Sequence, residues 1–258
     1  MLSLRIENHK GEVLSITQNP AYTITSVTGL NPAAANINTV DAAMLDGATF
    51  NSSKVGMRNI VVNFAIENPA ETNRIELYQY IKPKKPCTVY VKNGSRDVFI
   101  SGYVETLDID LFNNKQMAQI SIICPQPFFL DVETQKVEFL LTGKAENDGD
   151  VEIGAVISIN AVAGALTNPS ITNSDTGDTF KVNYTIPEGA TLIINTNRGQ
   201  KGVTLSSGGS TTNLINYVDN TSTWLQLDTG ENDFVCDADT GAQYLSCSIS
   251  YDLKYEGV

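Results

Sequence analysis

The sequence has few of the residues that most often carry out chemistry. Its 258 residues include one histidine, His9, and one tryptophan. His9 stands among charged residues near the start of the chain, where a solvated side chain is far more common than a general base. A Ser-His-Asp triad needs a histidine beside its nucleophile, and no Gly-x-Ser-x-Gly segment is present. The sequence therefore argues against a serine hydrolase, and we predict no catalytic residues.

Metal and cofactor motifs are also missing. The four cysteines, Cys87, Cys124, Cys236 and Cys247, form no Cys-x-x-Cys pair, which argues against zinc. The glycines lie at turns, as hairpins require, and do not form the spaced series of a phosphate-binding loop. Cys236 and Cys247 are placed to face each other across a hairpin, but for a cytoplasmic product the sequence favours free, buried thiols. We predict no metal site and no cofactor.

Long hydrophobic runs and an excess of basic residues are absent too. No window approaches the roughly 20 apolar residues that span a bilayer, and the first residues lack the apolar core of a signal peptide. We therefore expect a protein made in, and soluble in, a cytoplasm. The net charge is −12. Residues 1–134 carry 11 Lys/Arg and 13 Asp/Glu, whereas residues 135–258 carry 6 and 16. This acidity disfavours direct binding to nucleic acid or to anionic membranes.

Short alternating runs, broken by turns, dominate what is present. The segment 97–131 anchors the chain: it alternates apolar and polar residues as far as Leu111, slips near Gly102 and Tyr103, and resumes after Asn113-Asn114. This pattern predicts a long bulged β-hairpin. Pro125 and Pro127 then remove ladder donors, so we place a domain boundary here, with domains at 1–134 and 135–258.

Other features of the first domain are a single helix and a long arm. Asn68 as N-cap, Pro69 at the first helical position and an apolar face of Ile75, Leu77, Tyr78 and Ile81 predict a helix ending near Lys82. Further strands are predicted at 2–6, 13–16, 22–30, 59–66 and 87–91. Residues 31–58, poor in large apolar groups, predict a functional loop or an extended arm.

The second domain shows only strand patterns and turns. Strands are predicted at 137–141, 156–159, 170–172, 179–185, 191–195, 224–227, 233–235 and 247–255. Their spacing is typical of a sandwich of two antiparallel sheets.

Three other kinds of site are each compatible with part of the sequence. Glu105, Asp108 and Asp110 lie on one strand, so a glycosidase-like pair is conceivable, but a solvated strand face is favoured. Residues 146–150 and 237–241 resemble fragments of calcium loops, and plain turns are favoured. For sugar binding, one tryptophan and several tyrosines offer a stacking platform: Trp224, Tyr184, Tyr217, Tyr244 and Tyr251. A carbohydrate-binding module acting through residues 135–258 stays the alternative function.

Motifs along nearly the whole chain resemble one protein family. They lie at residues 27–30, 46–50, 56–58, 124–129, 153–154, 193–196, 222–225, 230–232 and 255–258. Their order and spacing resemble the distal tail proteins of long-tailed, siphovirus-type phages that infect Gram-positive bacteria.

The resemblance implies a structural virion protein of the tail tip, assembled in the host cytoplasm. It implies a mainly β fold: a β-barrel or sandwich-like ring-forming domain with one α-helix and a long β-hairpin, then a galectin-like β-sandwich. The implied partners are further copies in a hexameric ring, the tail tube protein, the tail-associated fibre or lysin protein, and a receptor-binding protein. DNA would pass through the lumen without specific binding. Since residues 135–258 lack the histidine cluster of sugar-binding galectins, no sugar-contacting residues are carried over.

The arm is suited to reaching a neighbouring subunit, because it has little with which to pack on its own domain. We predict ring contacts through the long hairpin and through six residues of or beside the arm: Leu30, Pro32, Ile37, Met44, Phe50 and Arg58.

Overall fold

The computed structural model describes residues 2–41, 43, 46–113 and 115–258. The chain divides into two compact units, one of Met1–Val132 with Tyr255–Val258 and one of Glu133–Lys254. The second unit is therefore an insertion in the sequence of the first. The sequence placed the boundary after residue 134 and left residues 255–258 with the second domain, whereas here these four residues belong to the first unit.

The first unit is built on one antiparallel sheet. Its main strands run in the order β2-β1-β7-β8-β9-β6-β3, and β10 pairs with β8. The strands are β1 (Ser3–Glu7), β2 (Val13–Ser15), β3 (Tyr22–Thr28), β4 (Ala35–Asp41), β5 (Ala48–Val55), β6 (Arg58–Ile66), β7 (Pro86–Asn93), β8 (Arg96–Ile109), β9 (Met117–Cys124) and β10 (Phe129–Asp131). Strands β4 and β5 pair only with each other.

The long hairpin is confirmed as β8 and β9. Its register shifts between Val104 and Thr106, two residues beyond the predicted slip. Just before this shift, β8 requires a glycine at position 102, because a Cβ at Gly102 would lie 2.7 Å from the Ile123 carbonyl oxygen of β9. Of the predicted turn residues, Asn114 lies outside the described residues.

The helix is confirmed, but not its cap. Helix α1 spans Ala70–Tyr80, with Pro69 rather than Asn68 at the N-cap and no side-chain cap. The Asn73 side chain instead donates to the Glu67 carbonyl, 2.8 Å away. Only Leu77 and Ile81 of the predicted apolar face are buried. The helix therefore packs through a narrower stripe than its sequence predicted.

The second unit is a sandwich of two antiparallel sheets. One has the order β11-β21-β13-β17-β18-β19, and the other the order β12-β20-β14-β15 with β16 beside β14. The strands are β11 (Gln135–Phe139), β12 (Thr142–Asn147), β13 (Val156–Ala161), β14 (Leu166–Asn173), β15 (Thr179–Lys181), β16 (Thr185–Ile186), β17 (Thr191–Asn195), β18 (Gly202–Ser207), β19 (Ser210–Asn213), β20 (Gly230–Thr240) and β21 (Leu245–Tyr251), followed by β22 (Lys254–Tyr255) on β10.

Two kinds of strand error occur in this unit. The predicted strand 224–227 is wrong, because only Leu227 pairs there, in an isolated bridge with Ile153. Strands β12, β18 and β19 were missed. Ala145 is the one buried apolar residue of β12, and β19 is polar and exposed throughout, so neither carries the apolar alternation that marks a half-buried strand.

All four cysteines are free and buried, as predicted. Cys236 lies on β20 and Cys247 on β21, so the two thiols meet from different sheets and not across one hairpin. The hydrogen bond with Cys247, followed by burial, raises the pKa of Cys236 far above its ordinary value. These thiols therefore act as core side chains.

Candidate assembly surface

The arm (residues 31–58) contains a hairpin whose two described strands are open to solvent. Every residue of β4 and β5 is exposed. A two-stranded hairpin is marginally stable in water without a third strand or a packed face. The exposed hairpin therefore offers a surface on which another segment or subunit can pack.

A bulge decides which side chains share a face of this hairpin. Asn38 is paired with Ser52, but the next residue, Thr39, is paired with Phe50, so Asn51 is the extra residue. Residues directly opposite each other on two strands point to the same side of the sheet. Without the bulge, Phe50 would oppose Val40 and lie on the other face.

As a result, most large apolar side chains of the hairpin lie on one face, which we call the apolar face of the arm. It carries Ile37, Phe50 and Val55, which are 64%, 62% and 37% exposed, together with Ala35, Ala48 and the polar residues Thr39, Asp41 and Ser53. The second face carries mainly polar residues, Asn36, Asn38, Thr49, Ser52 and Lys54, together with Val40, which is 58% exposed. Several large apolar side chains exposed on one side of a hairpin are typical of an interaction site.

Arg58, at the root of the arm, is buried and holds four backbone carbonyls. It is 3% exposed. Its Nη1 donates to Gly29 and Asn31 at 2.5 and 2.6 Å, and its Nε and Nη2 donate to Pro127 and Glu256 at 2.6 Å each. The planar guanidinium suits this task because its five N–H groups point in fixed directions.

The surroundings of Arg58 are apolar on one side. Its guanidinium carbon lies 4.5 Å from the centre of the Phe129 ring, a cation–π contact. Burial is the main cause that lowers the pKa of Arg58, and the charge of Glu256 acts in the opposite direction. Since arginine stays protonated even so, the root of the arm contains a permanent buried charge satisfied by carbonyl oxygens.

The six residues predicted for ring contacts are placed unequally. Ile37 and Phe50 lie on the apolar face, Pro32 is exposed and Leu30 is half-buried. Met44 lies outside the described residues. Arg58 presents almost no surface to a partner, because its contacts are within the first unit. Val55 was not predicted as a contact residue. It lies five residues after Phe50, and in a regular strand this odd spacing would place the two side chains on opposite faces. The bulge brings them to the same face.

The long hairpin also ends in exposed apolar residues. Leu111 and Phe112 follow β8 and are exposed, Phe112 completely. Asp110 accepts hydrogen bonds from the Phe112 backbone and from the Asn113 side chain, which orders this turn. The carboxylate of Asp110 thus has a structural role, and the exposed Asp108 pairs with Gln119 across the hairpin.

The second unit has an acidic surface. Residues 133–254 carry 6 Lys/Arg and 16 Asp/Glu. Lys144 lies 3.2 Å from Glu231 and 3.4 Å from Asp233, and Lys181 lies 2.7 Å from Asp239. Several of the few cations are therefore already paired within the unit, and the excess carboxylates face solvent.

The proposed sugar-stacking residues are not assembled into one platform. In the part of the chain that the structure describes, ring contacts join Tyr184 to Tyr217 and Trp224 to Phe180. Tyr251 is buried, and its hydroxyl donates to the Glu146 carbonyl. Within the same described ranges, no cluster of His, Cys, Asp or Glu has the arrangement of a metal site. No described helix has the length and apolar character needed to cross a membrane.

Two family models match the chain, one in each half. Residues 9–124 match the phage tail protein RIFT-related domain. Residues 148–255 match the C-terminal domain of the siphovirus-type tail component. No curated protein sequence matches at a significant level.

Solved structures with the same fold come from phage tails. The Dit protein of phage SPP1, described as a paradigm of the hub adsorption apparatus in phages infecting Gram-positive bacteria, superposes with a TM-score of 0.73 at 12% identity, over 98% of this chain and 99% of that one. A chain of the phage P2 baseplate, in its activated conformation with calcium, gives 0.53 at 10% identity over all of both chains. The strontium form gives the same values. These similarities confirm the predicted fold class, including the galectin-like sandwich.

Proposed function

We propose that this chain, which belongs to the distal tail proteins of siphovirus-type phages, forms a hexameric ring at the tail tip through its arm. It is a structural component of the phage tail hub. In the proposed role, the ring joins the tail tube to the tail-associated fibre or lysin protein and lets DNA pass without specific contacts. The function is architectural and not enzymatic.

The observation that carries this proposal is the uncovered apolar face of the arm. A bulge places Ile37, Phe50 and Val55 on one side of a hairpin, and all three stay exposed among the residues that the structure describes. Bulges re-aim side chains, so this one has a clear consequence for recognition. A copy of the same chain is the occupant we favour, because cyclic assembly lets each subunit both offer an arm and receive one.

The free edges of the sheet support the same role. Strand β3 ends the main sheet on one side and β2 on the other, each paired with a single neighbour. An unpaired edge is a liability in a monomer but a ready surface for pairing with another chain. Ring formation would protect these edges.

The test compares substitutions at two β-branched apolar residues that lie on opposite faces of β4. Ile37 and Val40 are both β-branched and similarly exposed, at 64% and 58%. We expect Ile37→Asp to abolish the ring in light scattering and native mass spectrometry, whereas Val40→Asp keeps it. Equal behaviour of the two variants, or a wild-type chain that stays monomeric at high concentration, would contradict the proposal.

The second unit is proposed as the docking surface for a receptor-binding or other baseplate protein. Its excess of carboxylates favours a partner with a basic patch, since complementary charge steers association. The measurement is the affinity for neighbouring baseplate proteins across a salt series. An affinity that does not fall with ionic strength would rule out this electrostatic basis.

A further inference from the structure

Residues 255–258, which we name the clasp, are seated in the first unit although 122 residues of the second unit precede them, Glu133–Lys254. Tyr255, on β22, belongs to the sheet through β10. The clasp thus completes a unit whose other strands are all found before residue 133.

Two arginines hold the clasp along its backbone. Arg58 Nη2 donates to the Glu256 carbonyl at 2.6 Å, and Arg96 Nη1 donates to the Gly257 carbonyl. The guanidinium carbon of Arg96 also lies 4.3 Å from the centre of the Tyr255 ring. The Tyr255 hydroxyl donates to the Asp131 carboxylate at 3.3 Å. Recognition is therefore by backbone carbonyls and one aromatic ring, as for a bound extended peptide.

The clasp contacts the root of the arm directly. The Val258 backbone N–H donates to the Leu30 carbonyl at 3.1 Å. A Cβ at Gly257 would lie 3.0 Å from Pro32 Cδ and 3.1 Å from the Leu30 oxygen, so the clasp and the root of the arm are in close contact. Arg58 links the same two segments, since it binds Gly29 and Asn31 on one side and Glu256 on the other.

We propose that the clasp is a positioning device that fixes the direction of the arm and makes the subunit competent to assemble. Before residues 255–258 dock, the Leu30 carbonyl lacks its donor, Arg58 lacks one of its four acceptors, and Arg96 lacks the Tyr255 ring. The described residues of the arm's hairpin are all exposed, so without the clasp fewer contacts fix the direction in which the hairpin leaves its root. Because the second unit lies between Val132 and Tyr255 in the sequence, the clasp arrives only after that unit has been synthesised. Assembly would accordingly wait until the second unit has been synthesised.

This inference rests on the proposed assembly through the arm, and its test separates the two. The first variant ends at Lys254, and the second pair is Tyr255→Ala and Tyr255→Phe. We expect loss of the clasp to increase amide hydrogen exchange at residues 29–41 and to weaken self-association at least about tenfold, since each lost hydrogen bond contributes a net factor of several in an equilibrium constant. Tyr255→Phe retains the ring under Arg96 and loses only the 3.3 Å hydrogen bond to Asp131, so it should lie close to the wild type in both measurements. Tyr255→Ala also loses the ring and should shift both measurements further toward those of the truncated chain.

A tyrosine of the second unit provides the matched control. Tyr217→Ala removes an exposed tyrosine of the second unit and should change neither measurement. If the wild-type chain does not self-associate, the proposed function fails. If it does, and both the truncated chain and Tyr255→Ala associate equally well with unchanged exchange at the arm root, the clasp is refuted. Should the truncated chain fail to fold, the Tyr255 pair decides the matter.

Discussion

Replacing Arg58 tests how much of the first unit depends on one buried guanidinium. In Arg58→Ala, the carbonyls of Gly29, Asn31, Pro127 and Glu256 lose their charged donor. A buried polar group left without a partner costs about 1–3 kcal/mol, and hydrogen bonds to a charged group contribute about 1.5–3 kcal/mol. Water can reach some of these carbonyls because Asn31 is exposed. We therefore expect a loss of about 3–5 kcal/mol, a large part of the roughly 5–15 kcal/mol that stabilises a domain.

A conservative variant sharpens the prediction. Lysine keeps the positive charge but presents its three donors from a single point, whereas the arginine fork reaches carbonyls on different sides. We expect Arg58→Lys to lose about 2–3 kcal/mol, between the wild type and Arg58→Ala. Arg74→Ala is the matched control. Arg74 is half-buried, and its guanidinium carbon lies 5.7 Å from the centre of the Tyr78 ring. We expect this substitution to lower the free energy of unfolding by less than about 1 kcal/mol.

The assay needs to report the two units separately. The single tryptophan, Trp224, lies in the second unit, so its fluorescence during guanidinium unfolding follows that unit. Amide hydrogen exchange of β3 and β6 follows the first. We expect the exchange of β3 and β6 to accelerate in Arg58→Ala while the Trp224 midpoint stays unchanged. A loss below about 1 kcal/mol in the first unit would refute the view that Arg58 organises the arm root.

Two further predictions concern the arm and the buried thiols. Exchanging two neighbours, as Thr49→Phe with Phe50→Thr, keeps the composition but moves the aromatic ring to the polar face beside Val40, so ring assembly seen by light scattering should be lost; an intact ring would refute the role of the bulge. Burial raises the pKa of Cys87 to about 12 and that of Cys124 to about 11, so both thiols should resist alkylation at pH 8 in the native protein and react once it unfolds. Since both folded-state pKa values exceed the unfolded ones, their contribution to stability is complete below the ordinary thiol pKa and falls as the pH rises toward 11–12; fast labelling at pH 8 or a flat alkaline stability profile would contradict this.

Most strands and the helix could be predicted from residue order, because their formation depends on local apolar spacing. Alternation of apolar residues predicted the β8–β9 hairpin and most sandwich strands, and helix α1 showed its apolar spacing even though its cap was misjudged. The few large apolar residues of a segment otherwise poor in them, Ile37 and Phe50 among them, were predicted from the sequence as contact residues. The strand predicted at 224–227 was wrong. Its residues do alternate between buried and partly exposed, but only Leu227 pairs with another segment, through an isolated bridge.

Contacts between segments far apart in the sequence became known from the folded chain. The side of the hairpin on which Phe50 lies depends on where the ladder slips, and a slip of one residue reverses every side chain beyond it without changing the composition. The burial of Arg58 was equally hidden, because its acceptors are backbone carbonyls at residues 29, 31, 127 and 256, which any sequence supplies. Backbone recognition leaves no side-chain pattern to read, so the return of residues 255–258 to the first unit was determined by the fold alone.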